Sequence, residues 1–245
     1  MLKCDLNCDV GEGMDNDSTI MPYITSASIA CGYHAGDEDI MKKTVELCLQ
    51  HGVLIGAHPS YPDRENFGRV DMLQDNLKPS EIPEMLFDQI NSLKRICEEA
   101  GTWLHHVKPH GALYNRAAMD AEVSKIICNG LRDVDPSLIL YGLSNSITAQ
   151  EAVYHDLQFM HEAFADRTYQ DDGSLTPRTS SNALITDSAT AVNQVLQLVE
   201  QNSVTTLSGK TIPVRADTVC IHGDGPNAVR FAKKIYKALS VLSER

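Results

Sequence analysis

Four histidines in this chain of 245 residues lie at the ends of short apolar runs. These are His34, His58, His110 and His222. A single histidine of this kind is more often structural than functional, but four of them together indicate a site. Imidazole groups act as general acids and bases near neutral pH, and they also bind divalent metal ions.

Acidic residues accompany these histidines. Asp9 lies near the end of the first apolar run, and Asp224 follows His222. Glu162 and Asp166 lie in and just after the sixth run and share one parity. In an extended strand they are about 13 Å apart, so we expect them to act at different depths and not as one acid/base pair.

Basic residues complete the set. His106, Lys108 and His110 alternate along the fourth run, so all three side chains can face the same side of a strand. Lys108 is expected either to serve the site or to pair with a buried carboxylate. Arg167 follows the sixth run, where a structural salt bridge and anion binding are both open to it.

Two polar segments are long enough to be loops. Residues 59–69 (PSYPDRENFGR) are predicted to form a lid or substrate loop, in which Arg64 and Arg69 can bind a carboxylate or a phosphate. Residues 171–178 (DDGSLTPR) are interpreted as an ordinary Gly/Pro turn.

The elements that must position these residues alternate between strands and helices. Apolar or alternating runs predict strands at residues 2–10, 26–31, 53–58, 103–108, 138–143, 158–164 and 218–222. Helical periodicity and end signals predict helices at 37–51, 80–100, 120–133, 147–155, 187–201 and 226–242, with Ser80 as the N-cap of the second and Pro226 in the first turn of the last.

A repeated order of strand and helix requires parallel strands joined by right-handed crossovers. We therefore predict an α/β fold, a seven-stranded (β/α) TIM-like barrel, with a doubly wound sheet as the alternative. Residues 1–245 are predicted to form one domain, with a small hairpin inserted near residues 203–217.

Alternation along the first strand places Asp5, Asn7 and Asp9 on one face and apolar residues on the other. In a barrel covered by helices, the apolar face meets the helices, so the polar face must point into the lumen. The carboxyl ends of the strands form the active-site face of such folds, and the four histidines follow those ends.

Composition excludes several classes of protein. The 21 basic and 33 acidic residues give a net charge of −12, which does not fit a basic nucleic-acid reader. Seven scattered cysteines without a C-x-x-C pair argue against a disulfide framework and a zinc ribbon. Neither a signal peptide nor a membrane-spanning stretch is recognised, so a cytoplasmic location is predicted. No P-loop or dinucleotide fingerprint occurs.

Six segments closely resemble the LamB/YcsF family, in order and over almost the whole chain. They are DLNCDVGEG (5–13), SIACGYHAGD (28–37), IGAHPSYPDRENFGR (55–69), HVKPHGALYN (106–115), EAFADRTY (162–169) and TVCIHGDGPNAV (218–229). The resemblance implies a seven-stranded barrel of the glycoside hydrolase/deacetylase kind. It also implies 5-oxoprolinase activity, which is hydrolysis of 5-oxo-L-proline (pyroglutamate) to L-glutamate with cleavage of ATP, together with separate subunits B and C.

The resemblance also implies the site residues. The predicted catalytic residues are Asp9, His58, Lys108, His110, Glu162, Asp166 and His222. The predicted substrate-binding residues are Asp5, Asn7, Glu12, His34, Asp37, Arg69, Arg167 and Asp224. Many relatives read GFGRR where this chain reads NFGRV, so Val70 replaces a second arginine.

Our mechanistic hypothesis places the substrate carboxylate on Arg69 or Lys108, while Asp9 or a neighbouring histidine activates water. ATP is expected as a co-substrate with Mg²⁺, and the missing P-loop predicts that the partner subunits perform or share the phosphorylation. One alternative is a stand-alone metal-dependent hydrolase such as a carbohydrate deacetylase, with the ion on Asp9 and two of the four histidines. Another is a binding subunit without catalysis.

Overall fold

Seven parallel strands close into a barrel in the computed structural model, which describes residues 2–74, 77–225 and 227–244. The barrel strands are β1 (Asp5–Val10), β2 (Ser26–Ala30), β3 (Leu54–His58), β4 (His106–Val107), β5 (Ile139–Leu143), β6 (Phe159–Phe164) and β9 (Thr218–Ile221). Two further strands, β7 (Ser203–Thr205) and β8 (Thr211–Pro213), lie outside the barrel. The barrel order is β1-β2-β3-β4-β5-β6-β9, and β9 pairs with β1. The predicted barrel is confirmed, and the doubly wound alternative is wrong.

Helices surround the barrel. They are α1 (Asp17–Ile20), α2 (Glu38–His51), α3 (Ile82–Glu99), α4 (Gly111–Met119), α5 (Ala121–Val134), α6 (Ile147–Tyr154), α7 (Ser188–Gln201) and α8 (Ala228–Ser243), with short 3₁₀ turns at Met21–Tyr23 and Pro79–Glu81. The antiparallel hairpin of β7 and β8 lies between α7 and β9. In the part of the chain that the structure describes, no helix is both long and apolar enough to cross a bilayer.

The helix ends mostly follow local signals. Asp37 caps α2, and Gly52 ends it in the left-handed region at φ 66°. The predicted cap at Ser80 is wrong, because residues 79–81 form a 3₁₀ turn and α3 begins only at Ile82. Helix α4 was not predicted; it begins at a glycine and has no side-chain cap. Pro226 lies outside the described residues.

Strand β4 is shorter than predicted, yet its hydrogen bonds to the β3 segment continue before its first residue and after its last. The amide of His105 donates to the carbonyl of Ile55 (2.7 Å), and that of Lys108 donates to Ala57 (2.9 Å). The amide of His110 donates to the carbonyl of Pro59 (2.8 Å). These bonds keep the end of β4 beside β3, so the polar residues 106–110 are delivered to the lumen and its mouth.

A glycine makes room inside the barrel. Gly56 on β3 pairs with His106 on β4. A Cβ atom at position 56 would lie 2.1 Å from Nε2 of His106, far inside van der Waals contact. The His106 ring can therefore occupy the lumen only because residue 56 has no side chain.

Candidate active site

A cavity of about 780 Å³ opens at the carboxyl ends of the strands. Ten of the predicted site residues line it: Asp9, Glu12, His58, Arg69, Lys108, His110, Glu162, Arg167, His222 and Asp224. Three more, Asn7, His34 and Asp166, are buried directly behind this lining and contact it. Most of the residues singled out in the sequence therefore meet at one place.

Two predicted substrate-binding residues lie elsewhere, and for these the prediction needs correction. Asp37 is exposed, and its carboxylate accepts a hydrogen bond from the amide of Ile40 (2.9 Å) as the cap of α2. Asp5 lies at the opposite end of the lumen, at the amino end of β1. A polar residue after a strand can start a helix, and alternation gives the face of a residue but not its depth.

Lys108 lies at the centre of a buried polar network. Its ammonium group contacts Oδ1 of Asp9 (2.5 Å) and Oε1 of Glu162 (3.0 Å). It also donates to Oδ1 of Asn7 (3.0 Å) and to Sγ of Cys220 (3.2 Å). Burial lowers the pKa of Lys108, but the neighbouring Asp9, Cys220 and Glu162 outweigh it and raise the pKa well above the usual value. The ammonium group is therefore held charged.

Asp9 is held ionised by the same network. Burial raises the pKa of Asp9, yet the neighbouring His58 ring and the charge of Lys108 outweigh this and bring it well below the usual value. One carboxylate oxygen contacts Lys108, and the other lies 3.5 Å from Nε2 of His58. Both oxygens thus face groups of the protein.

His222 and Asp166 form an oriented pair at the mouth. Nδ1 of His222 lies 2.9 Å from Oδ1 of Asp166, and the backbone amide of His222 donates to Oδ2 of the same carboxylate (3.1 Å). Burial raises the pKa of Asp166, but the interaction and hydrogen bonds with His222 outweigh it and lower the pKa. The carboxylate fixes the ring so that Nε2, which has no partner among the described residues, remains for the cavity.

The other three predicted histidines form a cluster with Glu12. The rings of His34 and His110 stack at 3.8 Å, and His58 lies edge-on to both. Nε2 of His58 is 2.9 Å from Nδ1 of His110, and Nε2 of His34 is 3.3 Å from Oε1 of Glu12. Burial and the neighbouring His58 ring lower the pKa of His34 to about 2 and that of His110 well below its usual value.

Comparison with known proteins shows the family of this chain. The LamB/YcsF family model matches residues 4–243. The chain belongs to the LamB/YcsF family. It is 47% identical to the A subunit of 5-oxoprolinase from Bacillus cytotoxicus, over 97% of this chain and 95% of that protein. It is also 47% identical to the protein of the same name from Bacillus cereus, over 97% and 95% of the two chains.

Among solved structures, the lactam utilization protein from Thermus thermophilus matches with a TM-score of 0.92 at 38% identity. The match covers 99% of this chain and 98% of that one. The LamB/YcsF segments recognised in the sequence supply most of the cavity wall, from β1, β3, β6 and β9 and the residues that follow β4. The family assignment and the site therefore rest on the same residues.

The two loops of this LamB/YcsF chain differ from expectation. Arg64 donates to the carbonyls of Gly32 (2.7 Å) and Gly36 (2.8 Å), so it braces the loop 59–69. Arg69 pairs with Asp224 at 2.5 Å and faces the cavity. The interpretation of residues 171–178 as an ordinary turn is wrong, because residues 172–175 and 177–179 line the cavity.

Arg178 in this second loop is a site residue that the sequence interpretation missed. It lines the cavity beside Arg167, and neither guanidinium lies within 4 Å of a carboxylate of the described residues. Arg167 is 4% exposed; burial and the charge of Arg178 lower its pKa to about 10. Its Nη2 donates to the carbonyl of Thr176, while Nε has no partner among the described residues.

Proposed function

We propose that this chain is the A subunit of an ATP-dependent 5-oxoprolinase, which hydrolyses the lactam of 5-oxo-L-proline to L-glutamate together with subunits B and C. The observation that carries the proposal is the 47% identity, over nearly the full length of both chains, to proteins named as the A subunit of 5-oxoprolinase. The cavity supports it, since it brings acids, bases and cations together at one mouth.

The chemistry of the substrate explains the need for ATP. A five-membered lactam is an unstrained, resonance-stabilised amide, so water adds slowly to its carbonyl carbon at neutral pH. Transfer of a phosphoryl group from ATP to the lactam oxygen makes that carbon a better electrophile. Water then adds, the ring C–N bond breaks and the nitrogen takes up a proton, which leaves γ-glutamyl phosphate. A second water molecule hydrolyses this acyl phosphate to glutamate and inorganic phosphate. The chain must supply a base for the water, an acid for the nitrogen and positive charge near the oxygen.

His222 is the best-placed general base. Asp166 orients its ring, and Nε2 is directed to the cavity without a partner among the described residues. Asp9 is less suited than the sequence suggested, because Lys108 and His58 occupy its two oxygens. Its role in this proposal is to hold Lys108 charged, so that the ammonium group stabilises negative charge that develops on the substrate.

The substrate carboxylate fits the two arginines of the second loop region. Lys108 already contacts two carboxylates, and Arg69 pairs with Asp224. Arg167 and Arg178 lack such partners among the described residues, and a guanidinium fork binds a carboxylate through two parallel hydrogen bonds. We therefore assign the substrate carboxylate to Arg167 and Arg178 in place of the Arg69 or Lys108 contact expected from sequence.

Phosphorylation is assigned to the partner subunits. The sequence has no P-loop, and the cavity lining has no glycine-rich phosphate loop of that kind among its described residues. In this division of labour, ATP and its Mg²⁺ bind mainly outside this chain, and the barrel performs the opening of the ring. A chain that turned over 5-oxoproline and ATP alone at the full rate would contradict it.

The test is reconstitution with subunits B and C, with glutamate and phosphate both measured. We expect no turnover by the chain alone and coupled release of both products by the complex. Asp166→Asn should lower kcat by about 10²- to 10⁴-fold, since the base loses its orientation. Asp39→Asn, on the exposed side of α2, is the matched control and should keep the wild-type rate.

The same assay addresses the reading of a binding subunit without catalysis. That reading requires Asp9→Asn and Asp166→Asn to leave the rate of the complex unchanged, whereas we expect both to lower it. Arg178→Ala should raise KM for 5-oxoproline with a smaller change in kcat, because it removes a contact to the substrate and not to the reacting atoms.

A stand-alone metal-dependent hydrolase is the second candidate, and the cluster of Glu12, His34, His58 and His110 is the observation that favours it. Hydrolysis of an N-acetylated sugar by the chain alone, lost on treatment with a chelator and restored by metal, would support this candidate. A requirement for ATP and for the partner subunits would support the 5-oxoprolinase reading, whether or not an ion is bound.

A further inference from the structure

The hydrogen bonds on the outer side of the histidine cluster fix which ring nitrogens carry hydrogen. Nδ1 of His58 lies 2.6 Å from the backbone carbonyl oxygen of Lys108. A carbonyl oxygen can only accept, so Nδ1 of His58 must be the donor. In the neutral ring, Nε2 of His58 is then a bare lone pair.

The same reasoning applies to His110. Its Nε2 lies 2.9 Å from the backbone carbonyl oxygen of Phe67, so this nitrogen must carry the hydrogen. The lone pair of His110 is therefore on Nδ1. That atom is the one that lies 2.9 Å from the lone-pair nitrogen of His58. Two neutral rings arranged in this way have no hydrogen between them.

Ser60 settles the third ring. Nδ1 of His34 lies 2.9 Å from Oγ of Ser60, and that hydroxyl donates to the carbonyl oxygen of Tyr61 (2.9 Å). Because the hydroxyl hydrogen is already used, Oγ of Ser60 accepts and Nδ1 of His34 donates. The lone pair of His34 is therefore on Nε2, 3.3 Å from Oε1 of Glu12.

Four electron-pair donors thus converge on one small volume. Each of the four residues offers one ligand atom, these atoms all lie within 4.8 Å of one another, and all four residues are buried. Such an arrangement is repulsive unless positive charge lies between the groups. Metal-binding histidines commonly have this form: the inner nitrogen is bare and the outer N–H is held by a carbonyl or another oxygen.

We propose that Glu12, His34, His58 and His110 form a binding site for a divalent transition-metal ion, with zinc as the best match. Three imidazoles and one carboxylate are a donor set that suits zinc. Tetrahedral zinc with bonds of about 2.0–2.1 Å places neighbouring donors roughly 3.3 Å apart. The donor separations are 2.9 Å (His58 to His110), 3.3 Å (His34 to Glu12) and 3.5 Å (His110 to Glu12). These three separations lie within a few tenths of an ångström of the tetrahedral value, and all the others are below 4.8 Å.

The site borders the cavity, because Glu12, His58 and His110 also line it. Because the protein fills all four positions of the ion, an ion there would act through its positive charge beside the substrate and not by binding it, and this part of the inference rests on the proposed function. Binding itself does not depend on that function. The competing occupants are protons, one between Glu12 and His34 and one between His58 and His110.

Metal binding by the purified full-length chain separates an ion from protons. The chain is treated with a chelator, dialysed and titrated with Zn²⁺ in a calorimeter, and a parallel sample is titrated with Co²⁺ and followed by its visible absorption. We expect one ion per chain, a rise in Tm on binding and the intense bands of four-coordinate cobalt. No binding at micromolar ion, or several weak ions per chain, would overturn the proposal in favour of protons.

Variants locate the site. His110→Ala removes a ligand and should abolish tight binding. Ser60→Ala keeps all four ligands and loses only the group that fixes the tautomer of His34, so affinity should fall about 10- to 100-fold. His222→Gln, at the other side of the mouth, is the matched control and should bind normally. If His222→Gln loses the ion and His110→Ala keeps it, the site is not this cluster.

The readouts keep the two proposals separate. A chain that binds one ion but supports no hydrolysis of 5-oxoproline with its partners would refute the proposed function and leave the metal site standing. A reconstituted enzyme that is fully active after chelation, and binds no ion, would do the reverse.

Discussion

The two ends of the barrel lumen are both polar, but the hydrogen bonding of their polar groups differs. At the amino end, the Asp5 carboxylate accepts from the hydroxyls of Thr25 (2.6 Å), Ser26 (2.7 Å) and Thr218 (2.6 Å). Both oxygens of this carboxylate therefore meet donors. At the carboxyl end, the lone pairs of three imidazoles face each other and a carboxylate.

The difference shows that buried polarity alone does not mark a site. A network whose donors and acceptors match is complete without a ligand, and it serves to fill and hold the barrel. A network with an excess of acceptors, or of cations such as Arg167 and Arg178, is complete only when something binds. The candidate site of this chain lies at the end of the lumen where donors and acceptors are not matched.

Lys108 separates the two ends, and replacing it gives the largest expected effect. Lys108→Met leaves the buried carboxylates of Asp9 and Glu162 without their shared cation. We expect a loss of about 3–5 kcal/mol in the free energy of unfolding, together with loss of activity in the reconstituted complex. Urea denaturation at neutral pH measures the first.

A surface ion pair is the control for this experiment. Lys94 and Asp135 form a contact of 2.7 Å with both side chains about a quarter exposed. Lys94→Met should cost less than about 1 kcal/mol, because solvent screens the pair. Equal costs for Lys94→Met and Lys108→Met would mean that the central network is not held by charge.

The next effect compares the two ends directly. Asp5→Asn replaces a carboxylate that accepts three hydroxyls by an amide that leaves at least one of them badly placed. We expect a loss of about 1–3 kcal/mol in the free energy of unfolding, with kcat of the folded enzyme unchanged. Denaturation and the reconstituted assay measure the two quantities.

Asp166→Asn should show the opposite pattern, with a lower kcat and a smaller change in stability. If Asp5→Asn lowers kcat as much as Asp166→Asn does, the amino end belongs to the site and the distinction between the two ends is lost.

How far the sequence could predict this arrangement depends on the kind of information each part requires. Alternation along β1 correctly places Asn7 and Asp9 in the lumen, since side-chain direction is a local property. The barrel follows from the repeated order of strands and helices. Depth is not local, so Asp5 was expected at a mouth from which it is remote.

Other parts of the site depend on contacts between distant segments. The path of the loop after β6 is not set by its own residues, so the sequence around Arg178 does not show that this side chain lines the cavity. The tautomers of His34 and His110 depend on Ser60 and on the carbonyl of Phe67, which only the folded chain brings to them. A Thr-Pro-Arg loop following a functional strand is the one cue that could have been weighted more.

The smallest effect concerns a buried histidine at the complete end of the lumen. The His106 ring stacks on Tyr141 at 4.1 Å, and its Nε2 lies 3.3 Å from the Ser28 hydroxyl. Burial, helped by the neighbouring His105 ring and the charge of Lys108, lowers the pKa of His106 well below the usual value of about 6.5. The folded chain therefore keeps this ring neutral where the unfolded chain protonates it.

The free energy of unfolding is expected to fall as the pH is lowered. Below about pH 6.5 the unfolded state binds a proton at His106 that the folded state does not bind, so stability falls as the pH falls. Between pH 7 and pH 6 the contribution of one such histidine is about 0.7 kcal/mol. His106→Asn should flatten the wild-type curve of unfolding free energy against pH by that amount. Ser28→Ala keeps the buried ring and should keep the slope; if both variants flatten the curve equally, titration of His106 is not its cause.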